Sequence, residues 1–197
     1  MRKRVVIIQG HPDPSGERFC HSLANRVAEG ASSAGAEVIR IEVGQLAFPI
    51  LRTQDDFNRG AAGTPETLIP ARDAISFANH IVIIYPLWHG TMPALLKAFF
   101  EQTLRPGVAL EYTDKHFPKK LLAGKSARII VTMGMPALAY RWYFCAHSLR
   151  SLKRNILGIS GVKPIRSSVF GSVESVSDET RKKWLDKIRE TAGRDVR

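Results

Sequence analysis

The sequence lacks most of the motifs that would assign a function directly. Its only two cysteines, Cys20 and Cys145, provide neither a disulfide framework nor the spacing of a metal site. The motifs GxxxxGK[ST], GxGxxG and HExxH and the nucleophile elbow are also missing. These absences argue against a P-loop enzyme, a dinucleotide-type Rossmann turn and the recognisable kinds of hydrolase, and they predict no metal site.

Long apolar runs are missing as well. After the basic N-terminus, the apolar stretch from Val5 to Ile8 is too short for a signal peptide or a membrane span. There is no internal repeat, and no motif of a nucleic-acid-binding fold appears. We therefore expect a single cytoplasmic domain covering residues 1–197, in a reducing environment and without a nucleic-acid partner.

Acidic residues are scarce only in the second half of the chain. Residues 1–114 contain 11 basic and 12 acidic residues, whereas residues 115–197 contain 18 and 6, so the formal net charge of +11 belongs to the second half. A basic surface can attract nucleic acid, anionic lipid or an anionic small molecule such as a nucleotide cofactor. An ordinary solvated surface explains the charge equally well.

Five segments have the composition of strands, and they alternate with segments of helical periodicity. Several of the strands are continuous β-branched runs without alternation, which is typical of parallel strands covered on both faces. The predicted strands are Arg4–Gln9, Glu37–Glu42, the run around Ile81–Ile84, Ala127–Thr132 and Val162–Phe170. This alternation predicts a doubly wound α/β fold with a five-stranded parallel sheet.

The helices are predicted from periodicity and from capping residues. The first begins after Ser15 and another after Thr91, with Pro93 in its first turn. Residues 44–65 are predicted to be a long irregular excursion, and residues 194–197 a frayed tail. The predicted helices cover about 17–33, 66–79, 91–104, 138–157 and 177–193.

Two strand orders are common in doubly wound sheets, and ligands bind where the order reverses. In the order 2-1-3-4-5, the loops after strands one, three and four meet at that point. Those loops, GHPDPSG, YPLWHG and TMGMP, have unusual compositions. In the first, His11, Ser15 and Arg18 surround a helix N-terminus, which favours a phosphate, although an ordinary proline-rich turn also fits.

The other two loops also allow two interpretations each. Trp88 offers a flat surface to a flat ligand, or it packs in the core. His89 is either a catalytic residue or a hydrogen-bonded structural histidine. Thr132 offers a hydroxyl and Gly134 permits close approach of the backbone, but a simple strand-to-helix turn accounts for both.

The same loops carry a family resemblance. GHPDPS, the later FxHSL, the stretch YPLWHGTMPALLKAFFEQTLRPG and the TMGMP turn closely resemble the NAD(P)H:quinone oxidoreductase family of flavodoxin-like flavoproteins. This family includes diaphorases and the ancillary oxidoreductases of bacterial potassium-efflux systems. The resemblance covers nearly the whole chain, and it implies the flavodoxin-like fold with strand order 2-1-3-4-5.

The resemblance also implies roles for individual residues. The flavin phosphate and ribityl chain would be held by His11, Ser15, Phe19 and Cys20. Arg18 is a further candidate for the phosphate because of its position at the predicted helix N-terminus, not because of the resemblance. The edge of the isoalloxazine ring would lie along Pro86, Leu87, Trp88, His89 and Gly90. The pyrimidine end of the ring would contact Thr132, Gly134 and Met135. Tyr140 would lie beside the bound nicotinamide or quinone, and it is the first catalytic candidate; His89 of the central loop is the second. An aromatic contributed across a dimer interface would be Tyr112.

Some positions depart from the family pattern. Gly16-Glu17-Arg18 looks like an insertion, Cys20 replaces a usual asparagine, and His89 stands where many relatives have an aromatic residue.

The resemblance implies a flavoenzyme. NAD(P)H, with NADPH favoured by the basic second half, would pass hydride to the flavin N5, and a quinone would be reduced by two electrons in a ping-pong mechanism. The cofactor would be FMN or FAD, with FMN preferred, and the protein would form a homodimer. The alternative function is a flavin-bound regulatory or ancillary subunit that contacts a membrane transporter of the potassium-efflux type.

Overall fold

A five-stranded parallel sheet forms the centre of the protein in the computed structural model, which describes residues 2–113 and 117–197. The strands follow the order β2-β1-β3-β6-β7, and two further short strands pair separately as an antiparallel ribbon. The sheet confirms the predicted order, because β6 and β7 are its fourth and fifth strands. The strands are β1 Arg4–Gln9, β2 Glu37–Glu42, β3 His80–Pro86, β4 Leu110–Glu111, β5 Lys119–Lys120, β6 Ser126–Thr132 and β7 Ile165–Phe170.

Seven α-helices connect or flank these strands within the described residues. They are α1 Phe19–Ser33, α2 Gln54–Asn58, α3 Ile69–Phe77, α4 Ala94–Thr103, α5 Ala137–Trp142, α6 His147–Ser151 and α7 Asp178–Asp195. A π-helical segment, Leu152–Gly158, follows α6. None of these helices is long and apolar enough to cross a membrane.

The central strands are apolar throughout because alternate residues pack into two hydrophobic cores, one on each face of the sheet. Val6 and Ile8 of β1 face the core that contains α3 and α4. Val5 and Ile7 face the core that contains α1 and α7. Gly30 of α1 allows the closest approach of the two helices, because a Cβ there would lie 2.0 Å from the carbonyl oxygen of Arg189. The sheet is therefore held between helices, and the site must lie at one of its edges.

Residues 44–65 differ from the predicted irregular excursion. They contain α2 and two short 3-10 turns, one at Val43–Gln45 and one at Gly60–Gly63. The buried guanidinium of Arg105 donates two hydrogen bonds of 3.0 Å to the Asp56 carboxylate, which anchors α2 to the end of α4. A buried arginine needs such a partner, so the segment is ordered by a residue distant in sequence.

Several predicted helix ends are also wrong. The helix expected over 138–157 is broken, because Cys145 and Ala146 both have left-handed backbone angles, with φ of 50° and 48°. The helix expected from Thr91 begins at Ala94, with Pro93 as its cap. The tail over 194–197 does not fray after Gly193: α7 continues to Asp195, and the Lys3 ammonium donates to the carbonyl oxygen of Arg197 at 3.0 Å.

Candidate active site

The carboxyl edge of the sheet carries a cleft of about 640 Å³. This volume is within the range of small-molecule sites. Four loops line the cleft, namely those after β1, β3, β6 and β7. The predicted residues that line it are His11, Arg18, Phe19, Cys20, Pro86, Leu87, Trp88, Thr132 and Gly134. The predicted residues that do not are Ser15, His89, Gly90, Met135 and Tyr140.

The loop after β1 is closed by its own hydrogen bonds. The N–H of His11 donates to the Gln9 side-chain oxygen at 3.0 Å, and the N–H of Asp13 donates to Nδ1 of His11 at 3.0 Å. The Asp13 carboxylate then accepts the Ser15 N–H at 2.9 Å and the Arg18 Nε–H at 2.6 Å. These hydrogen bonds therefore fix the shape of the loop without any contribution from a ligand.

The helix that follows this loop begins later than predicted. Ser15 is not its cap, because the turn closed by Asp13, with Gly16 at φ 82°, leaves Ser15 three residues before the actual cap, Arg18. The Arg18 side chain makes no capping hydrogen bond among the described residues, whereas the backbone N–H of Arg18 donates to Nδ1 of His21 at 3.2 Å. The first-turn N–H groups of a helix without such a cap favour an anion.

Two imidazoles and an indole pack together at this end of the cleft. The His11 ring lies 5.6 Å from the His21 ring and 5.7 Å from the Trp88 ring, measured between centroids. Burial, assisted by His21, lowers the pKa of His11 below its usual value. Because its Nδ1 accepts the Asp13 N–H, neutral His11 carries its proton on Nε2 and can donate from there.

The loop after β3 forms a tight turn at the rim of the cleft. Trp88 and Thr91 exchange two backbone hydrogen bonds of 2.9 Å, and His89 and Gly90 between them have φ angles of 46° and 78°. Two central residues with positive φ define a type I′ turn. His89 and Gly90 therefore form the exposed tip of the turn, whereas the indole of Trp88 is 47% exposed beside the cleft. The interpretation of Trp88 as a core residue is wrong.

The loop after β6 supplies the opposite wall. The Thr132 hydroxyl lies 3.2 Å from the Cys20 sulfur. Burial raises the pKa of the Cys20 thiol to about 11, so this thiol is neutral at pH 7 and a poor nucleophile. Gly134 faces open space, because a Cβ there would meet no atom within 4 Å. Met135 packs instead against the hydrophobic core, which explains why it does not line the cleft.

Sequence reasoning missed the fourth loop. Val173 and Glu174 after β7, together with Arg181 of α7, line the cleft. The Arg181 guanidinium donates to the Val173 carbonyl oxygen at 2.8 Å and pairs with Asp178 at 2.6 Å. The predicted topology could have indicated this loop, because every loop that follows a parallel strand lies at the same edge of the sheet.

The structure does not support the predicted contact between Tyr140 and a substrate. The Tyr140 side chain is 1% exposed, and its hydroxyl accepts the N–H of Leu149 at 3.1 Å. The chain changes direction at the left-handed residues Cys145 and Ala146, and Leu149 of α6 then meets this hydroxyl. Burial raises the pKa of Tyr140 above its usual value. Tyr140 is a structural residue of the core.

Comparison with known proteins assigns the chain to a family. The family model described by a flavodoxin-like fold matches residues 3–192. The chain therefore belongs to this flavodoxin-like family, in agreement with the resemblance of its loops and the order of its strands.

Three relatives cover nearly the whole chain. An uncharacterized NAD(P)H oxidoreductase of Haemophilus influenzae is 27% identical and covers 92% of this chain and 90% of its own. An FMN-dependent NADH:quinone oxidoreductase of Mycoplasma pneumoniae is 24% identical and covers 93% of both chains. The NAD(P)H:quinone oxidoreductase from Methanothermobacter marburgensis is 23% identical in sequence, and its solved structure matches with a TM-score of 0.81. The match covers 98% of this chain and 96% of that one.

Proposed function

We propose that this protein is an FMN-dependent NAD(P)H oxidoreductase that reduces quinones or similar acceptors. The observation that carries the proposal is the cleft at the point where the strand order reverses, with the Trp88 indole half exposed beside it. The names of the relatives support the choice of an oxidoreductase and of FMN.

The residues of the cleft fit FMN. The phosphate would lie near the N-terminus of α1, where Arg18 supplies a positive charge and His11 an uncharged donor. The amide nitrogen of Gln9 is buried beneath this loop and has no hydrogen-bond partner among the described residues, although Gln9 itself does not line the cleft. The flat ring would lie between Trp88 and the open backbone at Gly134.

FMN in this position would supply the redox chemistry, accepting hydride from NAD(P)H and delivering two electrons to the acceptor. The chain would supply position and protection from water. A neutral Cys20 thiol, hydrogen-bonded to Thr132, would contact the cofactor without reacting. His89, at the tip of the I′ turn, would meet a substrate that enters over Trp88. Both substrates would use the same open face in turn, which predicts ping-pong kinetics.

We also propose that the protein forms a homodimer through α5 and the residues after it. Trp142 and Tyr143 are 81% and 83% exposed, and Leu138 and Phe144 are exposed large apolar residues of the same segment. Exposed apolar side chains that are concentrated in one segment are typical of protein–protein interfaces, membrane-binding surfaces and ligand grooves, and we assign this segment to contact with a second copy of the chain. Tyr112 is also exposed and remains a candidate contact. Phe99 and Phe100 of α4, the other pair of neighbouring aromatic residues, do not contribute to such a contact, because both side chains are buried in the core.

No feature of the described residues favours the alternative function as an accessory subunit of a membrane transporter, and we do not propose it.

The test begins with the purified protein, incubated with FMN, desalted and examined by its visible spectrum. We expect a yellow protein that oxidises NAD(P)H when menadione is added, and the rates with NADH and NADPH give the nucleotide preference. A protein that retains neither FMN nor FAD would refute the proposal. A yellow protein without turnover would refute the enzymatic part alone.

A further inference from the structure

Asp13 holds two donors at the mouth of the cleft. One carboxylate oxygen accepts the backbone N–H of Ser15 at 2.9 Å, and the other accepts Nε–H of Arg18 at 2.6 Å. A backbone N–H and a guanidinium near a helix N-terminus are the groups that bind a phosphate in many proteins. Asp13 therefore occupies two of the donors that an anionic ligand at this helix N-terminus would use.

The negative charge on Asp13 is permanent under ordinary conditions. The Ser15 N–H and the Arg18 side chain hold the pKa of the Asp13 carboxyl well below its usual range. Asp13 also lines the cleft together with Glu17 and Glu174, so three carboxylates accompany the two guanidinium groups of Arg18 and Arg181 there. The carboxylates that line the cleft therefore outnumber its guanidinium groups, and a phosphate must compete with them for Arg18.

We propose that Asp13 is an internal competitor of the FMN phosphate, which displaces it from Arg18 when the cofactor binds. This inference rests on the proposed function, since it requires that the cleft binds a flavin. It makes Asp13 a residue that lowers the affinity for flavins with a phosphate and does not affect flavins without one.

The exchange is physically easy. The Arg18 side chain is 61% exposed, and ion pairs at such a surface contribute little to stability. Asp13 holds the guanidinium through Nε alone, so the exchange breaks a single side-chain hydrogen bond. A phosphate with two negative charges therefore competes well against one carboxylate.

The experiment compares FMN and riboflavin, which differ by the phosphate alone, in wild type and in Asp13→Asn. Asparagine keeps an oxygen for the Ser15 N–H but loses the charge that attracts Arg18. We expect Asp13→Asn to bind FMN about 1.5- to 5-fold more tightly, the range of a surface ion pair, with riboflavin affinity unchanged. Affinities are measured by quenching of flavin fluorescence, and melting temperatures verify that the variants fold.

Two further variants separate an exchange at Arg18 from a general charge effect. Glu17→Gln removes a carboxylate of the same cleft that forms no ion pair among the described residues, and we expect a smaller gain in FMN affinity from it. Arg18→Gln should remove most of the preference of the wild type for FMN over riboflavin.

The possible results divide clearly. Unchanged or weaker FMN binding in Asp13→Asn would overturn the inference, because Asp13 would then be a scaffold of the loop. Equal gains for FMN and riboflavin, or equal gains in Asp13→Asn and Glu17→Gln, would also overturn it. In all of these cases the wild type still binds flavin and the proposed function stands. Absence of any flavin binding by the wild type would refute the function itself and the inference with it.

Discussion

A histidine, an arginine and an aspartate lie together at both edges of the sheet, but their environments differ. At the carboxyl edge, His11 is half-buried, and the Arg18 and Asp13 side chains that pair with each other are 61% and 23% exposed. At the amino edge, His80, Arg128 and Asp195 are almost fully buried, and two nitrogens of the Arg128 guanidinium donate to the Asp195 carboxylate. The same residue types therefore form an open cluster and a closed one.

The difference indicates that the amino edge contributes to stability, whereas the carboxyl edge can exchange its ion pairs for a ligand. Buried ion pairs of the amino edge are costly to break, because a lone charge remains in the interior. Exposed pairs of the carboxyl edge are weak and can be exchanged for a ligand. Substitutions at the amino edge should therefore lower stability, and substitutions at the carboxyl edge should alter flavin binding.

The largest effect is expected from Asp195→Ala. Loss of this carboxylate leaves Arg128 buried without its partner and also removes the 3.5 Å contact with Arg166. We expect the free energy of unfolding to fall by about 3–5 kcal/mol, measured by urea denaturation. The FMN affinity of the folded protein should change less than about two-fold. An unaltered denaturation midpoint would contradict the assignment of a structural role to the amino edge.

The next effect is a loss of stability in acid. Burial lowers the pKa of His80 to about 4, against the attraction of Asp195 and with the repulsion of Arg128, Arg166 and Lys3. The unfolded chain binds this proton near pH 6.5 and the folded chain only near pH 4, so stability falls as the pH falls between these values. The contribution of His80 is about 3 kcal/mol.

The variant His80→Asn isolates this contribution, because asparagine does not titrate and keeps a partner for Ser126, which lies 2.8 Å from Nδ1 of His80. Unfolding free energies are measured from pH 7 to pH 4 for both proteins. The variant should lose less stability over this interval. Parallel curves would exclude His80 as the source.

A smaller change in free energy, but a direct effect on binding, is expected from Trp88→Ala. Loss of the half-exposed indole should weaken FMN binding about ten-fold, the magnitude of one aromatic contact, and should scarcely alter the melting temperature of the apoprotein. The control is Phe77→Ala, an exposed aromatic residue beside Arg4 at the amino edge. Its FMN affinity should equal that of the wild type; equal losses in both variants would contradict the position of the site.

The smallest effect is expected from His89→Ala. This side chain is exposed at the tip of the I′ turn and does not line the cleft, so FMN affinity should stay within about two-fold of the wild type. Turnover with menadione shows whether His89 contacts a substrate. A large loss of FMN affinity would place the imidazole on the cofactor.

The strands and the three loops were predictable because their causes are local. Continuous β-branched residues such as Ile81–Ile84 can only be buried on both faces, and such strands alternating with helices lead to this sheet. Once the strand order was assumed, the position of Trp88 and Thr132 at one edge followed from parallel topology.

The predictions were wrong where distant contacts or unusual backbone angles determine the position of a residue. Nothing local to Tyr140 indicates that Cys145 and Ala146 adopt left-handed angles and bury its hydroxyl. Serine is a common helix cap, but the backbone N–H of Ser15 donates to the Asp13 carboxylate, and Ser15 belongs to a turn before the helix. Arg181 reaches the cleft from a helix far along the chain, and only the packing of α7 brings it there.

Hydrogen–deuterium exchange with and without FMN tests the comparison of the two edges most directly. We expect FMN to protect the amides of residues 10–20, 86–91 and 132–135 at the carboxyl edge. The amides of residues 78–80 and 124–126 at the amino edge should exchange as in the apoprotein. Protection confined to the amino edge, or no protection at saturating FMN, would contradict the assignment of the cleft as the flavin site.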